Sequence, residues 1–482
     1  MSKISLQSDL PELLNEIADE IRLFIPVRKI DFTSEFIEDG WFLRHFFNEK
    51  EFCHTCELYY DGSLLAKSGA KTQKPPIEDE ILYKKMRKRG AKQAAFSCLN
   101  EYFKKELPWG NLTGIRPTKL YRENLALYGE NCDSFMKNEF HITEEKLALL
   151  RKIESVQKKY IKTRDEEIDI YIGIPYCTTR CAYCSFSSAV TTKNGEAEKR
   201  YVDCLLKEID LLKDIISEYK IRCVYIGGGT PTALSDKEFT RVVRAAAELS
   251  FGAKEFTVEA GRPDTITENK LKIILDSGAT RVSVNAQTTN DATLQLVGRN
   301  HTYAEFLAAY ELVKKTNLKV NTDLIAGLPG ENEDDVLKSV SEVIALSCDN
   351  ITLHTLAIKN ASRFAEQNMR GFMDENIAQE TLSKASKLFN KAGYLPYYMY
   401  RQKYMAGNLE NVGYSRPGCE CIYNIDIMEE TTSILAFGAG GMSKRVFSTQ
   451  NRIERTPAVK DILNYVTRTE EMALRKRILF TK

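Results

Sequence analysis

Residues 168–186 read IDIYIGIPYCTTRCAYCSF. The first eight alternate isoleucine with other residues and close on Ile-Pro, the length and composition of a β-strand. A loop follows with Cys177, Cys181 and Cys184 at C-x3-C-x2-C spacing and an aromatic residue at Phe186. The first half of this event, an apolar run and then a loop rich in Gly, Pro or polar residues, recurs at IRCVYIGG (221–228), EFTVEA (255–260), RVSVNA (281–286), KVNTDLIAG (319–327) and NITLHTLAI (350–358). Between the runs lie helix-length stretches such as 201–216, 239–249, 271–278 and 306–315, apolar at three-to-four spacing, with Gly278 placed as a stop. Six β-α units predict an α/β fold on a parallel sheet. Right-handed crossovers let such a sheet open flat or curl into a full or partial barrel, and both put ligand chemistry in the loops after the carboxyl ends of the strands.

Outward from this core, residues 1–75 hold a helix-like opening (LPELLNEIADEIRLF) and alternating aromatic runs around WFLRHFF and CELYYDG, a small α/β module. Residues 76–165 read as a helical extension and linker: one charged helix over 78–107 stopped by Pro108, the loop WGNLTGIRPTKL (109–120), and a charge-dense approach to the core. The core is expected over 166–365. Beyond it the β-α rhythm stops, and 366–482 is expected to be a separate α+β portion covering the substrate.

At 482 residues the chain carries a prior of about three domains. Its 68 Lys and Arg against 67 Asp and Glu leave no global field to gather a polyanion, so no nucleic-acid partner is expected. The opening residues lack the pattern of a secretory signal, and no apolar run reaches about 18 residues, so neither export nor a membrane partner is expected. Twelve scattered cysteines with one tight trio suit a reducing cytoplasm better than a disulfide framework.

Thiolates spaced as in the trio converge on one metal centre, and soft sulfur favours zinc or an iron-sulfur cluster. Structural zinc wants four ligands, yet the next Cys is Cys204 and the next His is His301. Three thiolates on a 4Fe-4S cluster would leave one iron open to a small molecule. The CHTC pair, Cys53 and Cys56, has no matching second pair and sits in a β-like stretch, so a core role is preferred. Cys419 and Cys421 in GCEC lie in a loop-like tail that could approach the site, but two spare thiols more often have no metal role.

The other strand ends are polar in concert. GGGTPT (227–232) exposes backbone N–H groups to a ligand. Glu259 precedes Gly261, Arg262, Pro263 and Asp264, while Asn285 and Gln287 follow the fourth strand and Asp323 stands ahead of GLPGE. Singly each is as well explained by a cap or a turn, but together they surround one prospective site.

Taken with the trio, IGGGTPT, FTVEAGRPD, RVSVNAQTTNDATLQLVGRNHT and DLIAGLPGE resemble the radical S-adenosylmethionine (SAM) superfamily and, within it, the oxygen-independent coproporphyrinogen III oxidase (dehydrogenase) family. WGNLTGIRPTKL and GYLPYYMYRQKYMAGNLENVGYSRPGCECIYNI resemble its long-N-terminus, HemZ-like subgroup. The resemblance implies a partial parallel (β/α) barrel of six β-α units, a 4Fe-4S cluster on Cys177, Cys181 and Cys184, and one or two SAM molecules. It places SAM contacts at Tyr171, Tyr183, Gly228, Gly229, Thr230, Glu259, Gln287, Arg299, Asp323, Ala357 and Met442.

The activity it implies is oxidative decarboxylation of two coproporphyrinogen III propionates to vinyl groups, giving protoporphyrinogen IX, with a small electron-donor protein or reductant as partner. Arg116, Lys119, Arg401, Lys403 and Arg416 are the sequence's candidates for the substrate carboxylates, because guanidinium binds carboxylate bidentately. No residue is singled out as catalytic. Decarboxylating relatives often carry a Cys two places after the third cysteine and a His four places before the first; here those positions are Phe186 and Gly173. The Cys-x-Phe ending instead resembles the haem chaperones of the same family. Those use a His-bearing C-terminal motif, whereas this chain has no His after His354, which favours the enzyme. A different radical reaction on a tetrapyrrole is the third reading, and a non-enzymatic zinc protein the outsider.

Overall fold

The computed structural model describes residues 3–27, 29–72, 74, 79–162, 165–359, 361–367, 369, 373–402, 406–450 and 452–481. The chain forms two compact units, Met1–Leu150 with Gly407–Leu409, and Arg151–Ala406 with Glu410–Lys482.

In the first unit, β1 (Ile4–Ser8), α1 (Leu14–Phe24), β2 (Ile30–Phe32), β3 (Trp41–Asn48), β4 (Cys53–Tyr60) and β5 (Ser63–Lys71) build a five-stranded sheet of order β2-β1-β3-β4-β5. Alternation puts Leu43, Cys56 and Leu58 on the face that α1 and α2 (Glu80–Phe103) cover, where Ile17, Ile21, Ala91, Ala95 and Leu99 complete the core. The charged segment becomes α2 because Asp79 caps its start by accepting from the Leu82 amide. The odd spacing of Cys53 and Cys56 along β4 sends their side chains to opposite faces, so the two thiols cannot close on one ion. Helices α3 (Pro117–Tyr128), α4 (Cys132–Phe140) and α5 (Glu144–Gln157) follow, the division between units falling within α5.

In the second unit the elements run β6 (Glu167–Ile174), β7 (Tyr176–Cys177), β8 (Ala189–Val190), α6 (Glu196–Asp210), α7 (Lys213–Ser217), β9 (Lys220–Gly228), α8 (Asp236–Leu249), β10 (Glu255–Glu259), α9 (Glu268–Asp276), β11 (Arg281–Ser283), α10 (Asp291–Leu296), α11 (Tyr303–Lys314), β12 (Lys319–Ala326), α12 (Glu333–Ala345) and β13 (Asn350–Thr355). They continue as α13 (Arg363–Glu366), α14 (Glu375–Lys391), β14 (Leu395–Tyr400), β15 (Asn411–Ser415), α15 (Ile422–Glu429), β16 (Ser433–Phe437), β17 (Met442–Phe447), β18 (Arg452–Pro457), α16 (Ile462–Thr467) and α17 (Thr469–Phe480). All six strands expected from the sequence are present, parallel and adjacent in the order β6-β9-β10-β11-β12-β13. Caps set the helix starts: Ser235 and Thr267 accept from the N3 amides of α8 and α9, and Thr302 with Glu305 and Asn332 with Asp335 form reciprocal capping boxes on α11 and α12.

Residues beyond 365 extend this same sheet at both edges. Strand β16 adds a seventh parallel strand beside β6, with Leu435 opposite Ile170, and β15 pairs antiparallel with β13. Along β6, Ile168, Ile170, Ile172 and Ile174 are all buried, while the intervening Asp169 and Tyr171 share the other face; register then puts Cys223 and Tyr225 beside those two. That face is polar and aromatic, with Tyr171, Tyr225 and Tyr423 of α15 stacked upon one another.

The terminal helix α17 is held by a buried ion pair. Lys476 binds Glu208 of α6, which also accepts from the Gly438 amide at 3.0 Å and the Tyr465 hydroxyl at 2.7 Å. Among the described residues no helix is long and apolar enough to cross a membrane. Lys476→Met is expected to strand the Glu208 carboxylate without its cation and to cost the second unit about 3–5 kcal/mol. The urea unfolding midpoint reads this directly; an unmoved midpoint would mean that Glu208 needs no cation.

Candidate active site

The loops at the carboxyl ends of all six strands meet in one cavity of about 340 Å³. Its wall includes Cys177 and Cys184 after β6, Gly228 to Thr230 after β9, Glu259 and Arg262 at β10, Asn285 and Gln287 after β11, Asp323 on β12, and His354 to Ala357 from β13. In a flat sheet the first and sixth of these strands would stand about 24 Å apart. A single cavity touching both therefore requires the sheet to curl, and the choice between flat and barrel-like falls to the partial barrel.

The cysteine loop leaves β6 at Pro175 and is tied down by its neighbours. The Thr230 amide donates to the Tyr176 carbonyl at 2.7 Å, the Gly229 amide to Ile174 at 2.8 Å, and the Ala182 amide to Val297 at 2.9 Å. Gly228 adopts φ +113°, a conformation that suits glycine. At Gly229 a side chain has no room: a Cβ would stand 2.5 Å from the Tyr176 carbonyl oxygen and 3.0 Å from Cys177 Sγ. Gln287 is held at φ +68° by an isolated bridge to Leu324, its amide donating to Asp323 at 2.7 Å, a strained non-glycine position at the cavity wall.

The residues fit the cluster their pattern implies. A tetrahedral zinc bonds sulfur at about 2.3 Å, which draws thiolates to roughly 3.8 Å of one another. The three cysteines stand together in one cavity wall, where among the described lining residues there is no fourth cysteine to complete a zinc site of thiolates. Burial pushes the Cys177 and Cys184 thiols up, so their thiolates need positive charge beside them. Thr230 Oγ1 donates to Cys177 Sγ at 3.5 Å, and Arg262 Nη1 stands 3.9 Å from Cys181 Sγ. The same guanidinium pairs with Asp264 at 3.0 Å and donates to Thr179 Oγ1 at 2.8 Å. Arg299 is committed in the same way, to Gly261 O at 2.7 Å and to the Tyr183 hydroxyl at 3.3 Å.

Two acids face the cavity. The Glu259 carboxyl is pushed up to about 8 by burial and by the neighbouring Asp323, against the pull of the Gly228 amide, which donates to it at 3.3 Å. Asn285 also lines the cavity, and its Oδ1 is buried without a protein partner, a further acceptor.

The cavity thus brings together Cys177, Cys181, Cys184, Tyr183, Gly228, Gly229, Thr230, Glu259, Gln287, Arg299, Asp323 and Ala357. Tyr171 does not line it, but its hydroxyl would stand 3.3 Å from a Cβ at Gly228. Met442 opens β17 at 42% exposure and is not in the wall. Arg416 donates its amide to Asp349, just before β13 begins, which places it at the end of the sheet opposite the cysteines. Cys419 sits there too, its thiol 3.5 Å from Asp349, and Cys421 donates to Glu255 at 3.1 Å. Arg401 is buried and outside the wall, Arg116 and Lys119 belong to the first unit, and Lys403 lies outside the described residues. Arg180, Lys359, His354, Tyr400 and Gln402 also line the cavity. Sequence reasoning did not select them; only the parallel register of β12 and β13, which sets His354 beside Ile325, carried a signal for the histidine.

Two outcomes follow from this geometry. Gly229→Ala should push the cysteine loop off its seat, and after anaerobic reconstitution the variant should hold about twofold less iron or lower; metal analysis checks it. Because Glu259 binds its proton more tightly folded than unfolded, the metal-free protein should lose stability as pH rises from about 4.5 to about 8. Glu259→Gln should remove that part of the decline, seen as a smaller difference in melting temperature between pH 5 and pH 9.

The radical SAM superfamily model matches residues 171–343. The oxygen-independent coproporphyrinogen-III oxidase-like protein HemZ of Bacillus subtilis is 37% identical over 378 residues, 75% of each chain. The heme chaperone HemW of Haemophilus influenzae is 30% identical over 289 residues, 58% of this chain and 71% of that protein. Among solved structures, the coproporphyrinogen III oxidase HemN of Escherichia coli, a radical SAM enzyme, superposes with a TM-score of 0.52 at 19% identity, covering 65% of this chain and 72% of that one. The chain therefore belongs to the radical SAM superfamily and, within it, to the HemZ-like group of the oxygen-independent coproporphyrinogen III oxidase family.

Proposed function

We propose that this chain carries out the oxygen-independent oxidative decarboxylation of coproporphyrinogen III, converting two propionates to vinyl groups. The observation that carries the reading is the meeting, in one cavity, of the three cysteines with polar groups from the other five strand ends. When bound, the cluster and SAM supply a 5′-deoxyadenosyl radical able to abstract hydrogen. Cys177, Cys181 and Cys184 would hold the cluster, and Thr230 and Arg262 support two of those sulfurs. Gly228, Gly229, Glu259, Gln287, Arg299 and Asp323 would hold SAM, with Tyr183 fixed by Arg299.

At each propionate the β carbon gives up a hydrogen atom, one electron passes to a one-electron acceptor, and the bond to the carboxylate breaks to leave vinyl and CO2. The protein's share is placement and exclusion of water. Arg180 and Lys359 line the cavity and would meet a propionate there, in preference to Arg416 at the far end of the sheet.

A second reading, haem carriage without decarboxylation, is favoured by the Cys-x-Phe ending at Phe186, 67% exposed at the cavity wall, and by the similarity to HemW. An oxygen-free incubation with SAM, a reductant and coproporphyrinogen III separates the two. The enzyme reading expects 5′-deoxyadenosine and a porphyrin lighter by one CO2 and two hydrogens per propionate, both abolished in Cys181→Ala together with the cluster's visible absorption. Tight haem binding with no CO2 released would favour the carrier, and a Cys181→Ala protein that still makes 5′-deoxyadenosine would overturn the site.

A further inference from the structure

We propose that His354 is a positioning residue that aims the Asp323 carboxylate into the cavity, and that Tyr400 fixes the imidazole in the form that does so. The inference rests on the reading of this cavity as a SAM site.

Asp323, His354 and Tyr400 come from three strands, β12, β13 and β14, and all three line the cavity. Strand register puts the first two on one face, since Asp323 stands opposite Thr352 and Ile325 opposite His354. The Tyr400 hydroxyl lies 3.1 Å from His354 Nδ1, and Gln402 also hydrogen-bonds the phenol oxygen. Burial and the charge of Asp323 push the phenol's ionisation up, so it stays protonated and its hydrogen is the one available to Nδ1. A ring that accepts at Nδ1 carries its own proton at Nε2. That nitrogen faces Asp323 Oδ1 at 3.6 Å, too far for a hydrogen bond but close enough for an N–H dipole to act on a carboxylate.

The chain Gln402, Tyr400, His354, Asp323 therefore ends with an imidazole N–H dipole turned toward the Asp323 carboxylate. Its neighbour Glu259 carries the raised carboxyl. The two acids thus differ in their partners, Glu259 accepting from the Gly228 amide and Asp323 facing the imidazole. Orientation matters because a carboxylate that accepts two hydroxyls at once, as those of the ribose in SAM would require of Asp323, tolerates little rotation.

The test uses the full chain, reconstituted anaerobically, with the SAM dissociation constant measured by titration calorimetry and cluster occupancy by iron content and visible absorption. His354→Leu is expected to weaken SAM binding about tenfold. His354→Gln, which keeps an N–H donor, should stay within about threefold of wild type, and Tyr400→Phe should fall between the two. Iron content should be unchanged in all three. Wild-type affinity in His354→Leu would overturn the proposal, as would a Gln variant as weak as the Leu variant, since shape and not the N–H would then matter. If the reconstituted wild type binds no SAM, the reading of the cavity fails and this inference with it, whereas binding that ignores position 354 sinks the inference alone.

Discussion

The loop carrying Cys177, Cys181 and Cys184 has almost no regular structure of its own, only a two-residue parallel ladder between β7 and β8, so its shape is imposed from outside. Its ties run to most of the barrel: Tyr176 to Thr230 after β9, Thr178 to Asp264 after β10, Thr179 to Gly298 and Ala182 to Val297 after β11, and Arg180 to Ala361 after β13. A loop anchored at so many strand ends can hold three sulfurs in place only while those ends converge. Curl of the sheet is therefore the constraint from which the cysteine geometry, and with it the cavity, descends. It also explains why glycine recurs at 227–229, where backbone must pass within a side chain's reach of Glu259, Tyr176 and Cys177.

The opposite end of the interior is closed by charge. Arg222 meets Asp426 of α15 at 2.6 Å, and Arg281 meets Glu255 at 3.3 Å while donating to the carbonyls of Cys419 and Glu420. Glu255 also takes the amides of Ile422 and Tyr423, the first residues of α15. Buried pairs of this kind add little net stability over apolar packing, yet leaving one partner alone costs several kcal/mol, so what they enforce is a single seating of α15 on the sheet. Asp169 lies among them beside Cys223, and burial with the charge of Asp426 drives its carboxyl up against the pull of Arg222 and the Cys223 thiol. The floor is thus sealed and specific, which leaves the strand ends at the other side as the place for ligands.

What could be read from residues alone follows this division. The six strands were legible because alternation and length are local, and so was the cysteine loop, whose spacing is contiguous. The strands β15 and β16 were not, since nothing in GYS or ILAF announces that one will flank β13 and the other β6 across more than 250 residues of chain. For the same reason the segment from 366 onward read as a separate portion although it completes the sheet. Arg416 was attractive as a guanidinium in a family-like run, but β15 runs antiparallel and carries it to the floor. His354 and Tyr400 escaped notice because their relation exists only through pairing of β13 with β15 and of β15 with β14.

The polar groups around the cavity fall into two kinds, and the difference bears on what the cavity can receive. Arg262 and Arg299 point toward it but are already spent, on Asp264 and Thr179 and on Gly261, Asn285 and Tyr183. They are wall material, and their charge steadies the sulfurs and the tyrosine behind them. Asn285 Oδ1, by contrast, is buried without a partner, and Asp323 presents a carboxylate that His354 touches only at 3.6 Å. A buried acceptor left unsatisfied is costly, so the wall as built favours an occupant that brings donors. An amine and a pair of sugar hydroxyls supply donors of that kind, whereas carboxylates do not and would instead be met by the cations Arg180 and Lys359 in the same wall. The wall is therefore divided by hydrogen-bond polarity, with unsatisfied acceptors at Asn285 and Asp323 and cations at Arg180 and Lys359, and that division is defined by the side chains themselves.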